Sequence, residues 1–185
     1  MKKVLNKLFV LILGILLFSR VSSAQAASNT AKVSFTFDDG YLSTFNVAEP
    51  VLAKYGIDGT TYIPTGCING TGPCRNNVNP DASYMTWAQV QQLQNSYGWE
   101  IGAHTINHKR LSELTNSQKN TELSQSKQDL INHGLNVSQF ASPEGDYDYT
   151  SLSYVAKYYS SHRGFWDRNK NTFPYNDYIL EVKQV

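Results

Sequence analysis

Two short strings in this chain carry residues able to do chemistry together. Thr36-Phe37-Asp38-Asp39-Gly40 holds two adjacent carboxylates, and His104-Thr105-Ile106-Asn107-His108 holds two imidazoles four positions apart. One carboxylate with two imidazoles makes a three-ligand set for a divalent cation, with coordination positions left for water, and such open positions distinguish catalytic from structural metal sites. A cation so held lowers the pKa of water to about 7 in the best cases. The carboxylate left over lies beside the cation, stays ionised, and can accept the proton of water as a general base. On a helical turn a spacing of four puts both histidines on one face. Gly40 lets the chain turn sharply, so that both aspartates can face one cavity. Each string alone is a weak signal, and the competing reading is an aspartate turn beside an unrelated surface histidine pair. The combination points to hydrolysis by activated water.

The elements that position these strings alternate along the chain. Lys32 to Phe37 alternates in polarity and is rich in Val, Phe and Thr, which predicts a strand. Phe45, Val47, Val51 and Leu52 predict a helix over about residues 41–55, closed by Gly56. Gly59 to Pro64 reads as a second strand, and residues 67–84 as a loop dense in Gly, Asn and Pro. Thr86 is placed to N-cap a helix with Trp87, Val90 and Leu93 on one face. Trp99 to Ala103 is a third strand with His104 at its C-terminal end. A long polar helix opens at Asn116 or Ser117 and runs to about His133, where Gly134 ends it. Gln139 to Ser142 is a fourth strand, Thr150 to Tyr159 a helix, and His162 to Trp166 and Tyr178 to Val182 two further strands. Such alternation implies an α/β fold with parallel strands and crossover helices. Periodicity does not decide between an open sheet and a barrel, but both put functional residues at the C-terminal ends of strands. The aspartate pair, His104 and Pro143 all fall at such ends.

The first residues read as a processing segment. Lys2, Lys3 and Lys7 precede an apolar run from Leu8 to Phe18, and Ala24-Gln25-Ala26 offers small residues for cleavage. This is the pattern of a signal peptide over residues 1–26, followed by one domain over residues 27–185. An uncleaved anchor is the alternative, but the run falls short of the ~20 residues a spanning helix needs. The expectation is therefore a secreted or cell-surface protein that does not stay in the membrane after cleavage. Residues 1–26 hold four of the 16 basic residues and none of the 15 acids, so the remainder carries 12 bases against 15 acids and a net charge of −3. No basic stripe exists, which argues against a nucleic-acid binder. Cys67 and Cys74 flank Ile-Asn-Gly-Thr-Gly-Pro; in an exported chain a disulfide is expected there rather than two free thiols or a zinc site.

Thr36-Phe37-Asp38-Asp39-Gly40 followed by His-Thr-x-x-His resembles the polysaccharide deacetylases, the NodB-like domains of carbohydrate esterase family 4. Trp99-Glu100-Ile101-Gly102-Ala103 also resembles that family's approach to its histidines, and the likeness spans about residues 32–182. The resemblance implies a distorted (β/α) barrel with fewer than eight strands. It implies that Asp39, His104 and His108 bind the metal, zinc first and Co2+, Mn2+ or Ni2+ as substitutes, and that Asp38 is the general base. The substrate implied is an N-acetylated sugar polymer such as an N-acetylglucosamine-containing polysaccharide, with acetate released from the amide nitrogen. The alternatives are an O-acetyl esterase on a xylan-type polymer and a non-catalytic polysaccharide-binding remnant, and a monomer is expected. Ala141-Ser142-Pro143-Glu144-Gly145 stands where the family carries its third motif, so Pro143, Glu144 and Gly145 would form the substrate and oxyanion turn, with the Glu144 N–H as donor.

The chain also departs from that pattern. Ala141 stands where many members have an Arg that orients the catalytic aspartate, and Arg163 is a candidate to replace it; a surface ion pair is the competing reading for Arg163. Glu144 replaces an aromatic residue and puts a negative charge at the cleft edge. The family's late Leu-x-His, whose histidine acts as general acid, has no counterpart before Val185. The expectation is a barrel lacking its last strand or strands, with His133 and His162 read as surface histidines.

Overall fold

The computed structural model describes residues 32–70, 83–165, 171 and 176–183. The expected signal segment (residues 1–26) and Cys74 lie outside the described residues. The chain divides into two units, Met1–Val33 and Ser34–Val185, and the regular elements of the described residues lie in the second.

Five parallel strands form one sheet in chain order: β1 (Thr36–Phe37), β2 (Thr60–Ile63), β3 (Glu100–Ala103), β4 (Gln139–Ala141) and β5 (Ser161–Arg163). The helices that cross between them are α1 (Glu49–Ala53), α2 (Trp87–Tyr97), α3 (Asn116–Asn132) and α4 (Tyr149–Tyr158). The register runs Thr36 to Thr60, Thr60 to Glu100, Ala103 to Phe140 and Ala141 to Arg163. Among the described residues β1 and β5 do not pair with each other, so the sheet is a curled partial barrel of α/β type.

The centre of the sheet is fully enclosed. All four residues of β2 are buried, and Ile63, Met85, Val90, Leu93, Ile101, Leu111, Leu123, Phe140 and Val155 have no exposed surface. Each large apolar side chain so buried contributes about 1.5–3 kcal/mol. Helix starts are set by side chains. Thr86 and Gln89 form a reciprocal capping box on α2, and Thr115 with Gln118 repeats it on α3. Asp148 caps α4 by accepting from the Ser151 amide.

Two expectations are corrected and one is refined. β1 is shorter than residues 32–37, because it is an edge strand and Lys32 to Phe35 are exposed. The helix expected over residues 41–55 is present over residues 42–53, with a widened π-helical turn, Thr44–Ala48, running directly into α1. Pro50 lies in the first turn of α1 and has no N–H for the carbonyl four residues back, which breaks the regular ladder there. The strand expected over Tyr178–Val182 reduces to one parallel bridge, Leu180 to Arg163.

Candidate active site

The C-terminal ends of β1, β3, β4 and β5 converge on one site. After β1 the chain reverses at Asp39 and Gly40, both left-handed with φ of 69° and 67°. Aspartate tolerates that conformation through its short polar side chain, and glycine adopts it freely. The reversal aims Asp39 at the end of β3. Asp39 Oδ1 lies 3.4 Å from His104 Nε2 and 3.0 Å from His108 Nε2. One ligand atom from each of Asp39, His104 and His108 falls within 4.8 Å of the others. Both histidines are buried, and Asp39 is 17% exposed.

The histidine pair does not lie on a helical turn. Thr105 and His108 are left-handed, with φ of 65° and 52°, so residues 104–108 form an irregular loop. The loop's carbonyls are held from outside: Thr65 N–H donates to Thr105 O at 3.1 Å and Gly66 N–H to Ile106 O at 2.9 Å. The two imidazoles still converge, with ring centroids 5.0 Å apart.

The donor set fits a cation on a specific observation. His104 Nδ1 lies 2.8 Å from the Ala141 carbonyl, which can only accept, so Nδ1 carries the proton. In the neutral imidazole this leaves a lone pair on Nε2 aimed at a carboxylate oxygen. Two acceptors face each other, and only a positive charge between them reconciles the pair. With protons in that place, so that both rings are charged, burial still pushes the Asp39 carboxyl up, but the hydrogen bonds and charges of His104 and His108 outweigh it and hold the group well below the usual carboxylate range. Two nitrogens and one carboxylate oxygen suit a first-row divalent ion.

Asp38 points to a different partner. The Arg163 guanidinium, only 5% exposed, donates through Nη2 to Asp38 Oδ1, while Asp38 itself is 31% exposed. Arg163 Nη1 donates to Gly164 O at 3.0 Å, and the guanidinium lies 4.8 Å above the Tyr62 ring. Burial pushes the Tyr62 phenol up to about 12, so the ring beneath is neutral. Gly102 makes room for that ring, since a Cβ there would sit 2.5 Å from it. Arg163 is therefore not a surface charge. It reaches from β5 to the end of β1 and orients Asp38.

At the end of β4, Pro143 and Gly145 are buried, and Glu144 is left-handed with φ of 54°. The N–H groups of Gly145 and Asp146 are taken by Ser142 O and Pro143 O. No hydrogen bond engages the Glu144 N–H among the described residues. The Glu144 side chain turns outward and accepts from Arg110 Nε at 2.6 Å, so its charge meets a partner at the cleft edge.

Two histidine expectations are corrected. His162 is fully buried: Nδ1 lies 2.8 Å from Tyr178 O and Nε2 2.8 Å from Ser142 Oγ. His133 is half-buried and stacks flat on Trp87, with centroids 3.6 Å apart. Sequence reasoning also passed over Tyr41, Tyr84 and Arg110. Partial burial and then the Asp39 charge push the Tyr41 and Tyr84 phenols up, which places both beside the site. Cys67 is disulfide-bonded.

Comparison with known proteins bears on this geometry. The family model described as polysaccharide deacetylase matches residues 25–160. The chain belongs to the polysaccharide deacetylase family. Over 95 residues it is 33% identical to YxkH of Bacillus subtilis (strain 168), provisionally named a polysaccharide deacetylase, a match covering 51% of this chain and 30% of YxkH. Its fold resembles that of the Streptococcus pyogenes deacetylase PplD, solved with acetate, at a TM-score of 0.70 and 26% identity over 83% of this chain and 64% of PplD. It also resembles IcaB from Ammonifex degensii, at a TM-score of 0.61 and 23% identity, covering 71% of this chain and 59% of IcaB. A family 4 carbohydrate esterase from Streptomyces lividans, solved with acetate, matches at 0.56 and 22%, covering 72% of this chain and 62% of the esterase. The last two likenesses are of fold. The chain spans less than two thirds of the length of each of these relatives.

Proposed function

We propose that this polysaccharide deacetylase is an exported, metal-dependent hydrolase that removes N-acetyl groups from a polymer containing N-acetylglucosamine, such as peptidoglycan, a chitin-like chain or an exopolysaccharide. The observation that carries the reading is the Asp39–His104–His108 cluster with Asp38 beside it, pinned by the buried Arg163. Asp39, His104 and His108 would hold the ion, with zinc the first candidate. When bound, it would supply Lewis acidity and bring the pKa of water toward neutrality. Asp38 is the proton acceptor: it is the more exposed carboxylate of the pair, and Arg163 fixes its orientation. The Glu144 N–H, at the end of a buried Pro143 turn and engaged by no hydrogen bond among the described residues, is the backbone donor for a developing oxyanion. His104 Nδ1 stays on Ala141 O, so its ring keeps one orientation through the cycle. Export rests on the apolar segment and small-residue site within residues 1–26.

A second reading is favoured by a specific observation. None of the chain's four histidines is placed as a general acid. His104 and His108 face Asp39, His133 stacks on Trp87, and His162 is buried with both nitrogens engaged. An alkoxide leaves with less protonation than an amine does. O-acetyl ester hydrolysis on a xylan-type polymer is therefore the alternative. Acetate release measured side by side from an N-acetylglucosamine oligomer and from acetylated xylan separates the two. The first reading requires release from the amide substrate that chelator abolishes. Release from xylan alone selects the second, and no release from either, with Zn2+ supplied, overturns both.

A further inference from the structure

We propose that Glu122 is the positioning residue that holds the His104–His108 loop in its ligating shape; the inference rests on the metal-binding reading above. The loop needs such a device. Thr105 and His108 are left-handed, a conformation that costs roughly 1–2 kcal/mol for each residue bearing a Cβ. Strain of that kind persists only where the surroundings over-determine it. One side of the loop is tied by its carbonyls to Thr65 and Gly66. Its amides turn the opposite way, toward α3.

Glu122 on α3 receives them. Its side chain is buried, at 7% exposure. Oε2 accepts from the Ile106 amide at 2.8 Å and the Asn107 amide at 3.0 Å, and Oε1 accepts from Asn107 Nδ2 at 2.7 Å. One carboxylate thus gathers two backbone donors lying between the two histidines and the side chain just before His108. A carboxylate matches this array because it is acceptor-only at both oxygens. Glu122 cannot drift, since its neighbour Leu123 is fully enclosed in the core. The same helix braces the other wall: Thr65 Oγ1 donates to Asp129 Oδ2 at 2.8 Å. Helix α3 therefore clamps both the loop and the strand end to which the loop is tied.

The test is a calorimetric titration of Zn2+ into the chelator-stripped full chain, with the melting temperature of the stripped protein read in parallel. Glu122→Gln turns an amide NH2 toward the Asn107 NH2, donor against donor, and is expected to weaken Zn2+ binding about tenfold or more. Asn107→Asp alone sets a carboxylate against Glu122 and weakens it similarly. The double variant Glu122→Gln with Asn107→Asp restores a donor–acceptor pair at unchanged net charge. It is expected to recover affinity to within about threefold of wild type. A merely structural Glu122 would shift the melting temperature and leave the Zn2+ affinity of the folded chain alone. Single variants that bind Zn2+ within about twofold of wild type, or a double variant no better than the weaker single, overturn the positioning role. A wild-type chain that takes up no Zn2+ overturns the metal reading itself and this inference with it.

Discussion

The buried imidazole of His162 makes a prediction that does not depend on catalysis. Its Nδ1 donates to the Tyr178 carbonyl, so Nε2 is an acceptor and takes the Ser142 hydroxyl proton. Burial is the largest influence on this group. The Tyr178 carbonyl opposes it and the Arg163 charge reinforces it, and the pKa is pushed down to about 4. In the unfolded chain the value is about 6.5. As pH falls through that value, the unfolded chain takes up a proton that the folded chain refuses until about pH 4, so stability drops across the window between them. These values give a loss of about 2 kcal/mol between about pH 7 and about pH 4.5, levelling near about 3 kcal/mol at lower pH. His162→Asn keeps an N–H donor for Tyr178 and cannot titrate. Urea unfolding of both proteins at the two pH values is the assay. Other titrating groups, including Asp39, affect both proteins and cancel in the difference. Wild type should lose about 2 kcal/mol more than the variant on acidification. Equal pH sensitivity in the two would refute a neutral, enclosed His162.

Two further outcomes follow from the wall behind the aspartates. Arg163→Met removes the cation that orients Asp38. A hydrogen bond to a charged group is worth about 1.5–3 kcal/mol, discounted here because Asp38 is 31% exposed. The expectation is a fall in kcat of about tenfold with KM nearly unchanged and Zn2+ uptake intact, and partial recovery in Arg163→Lys. Gly102→Ala would place a Cβ 2.5 Å from the Tyr62 ring. It should lower stability by about 1–3 kcal/mol in thermal or urea unfolding, and displacing Tyr62 from beneath Arg163 should lower kcat as well.

The parts of the site that were legible in the sequence are those written locally. Asp38-Asp39-Gly40 and the histidine pair stand out by residue type and spacing, and strand-then-turn context placed them at strand ends. The shape of the histidine loop was not legible, because spacing of four is equally compatible with a helical turn and with a loop held by outside partners. Those partners, Thr65, Gly66 and Glu122, come from other elements. Arg163 stood out only as a candidate, since its partner Asp38 lies 125 residues away. His162 was misread for a related reason. Its burial depends on Ser142 and Tyr178, neither of which a window around His162 reveals. Pro50, by contrast, did carry a local signal: its missing N–H removes one rung of the ladder in the helix expected over residues 41–55, which widens there into a π turn.

The most direct test of the account separates holding the ion from using it. Asp38→Asn and wild type would be loaded with Zn2+, their metal content measured per chain, and acetate release from an N-acetylglucosamine oligomer followed. The account predicts one ion per chain in both proteins and turnover in wild type only. An Asp38→Asn protein that releases acetate at the wild-type rate, or one that fails to take up the ion, would contradict the division of labour between Asp38 and Asp39.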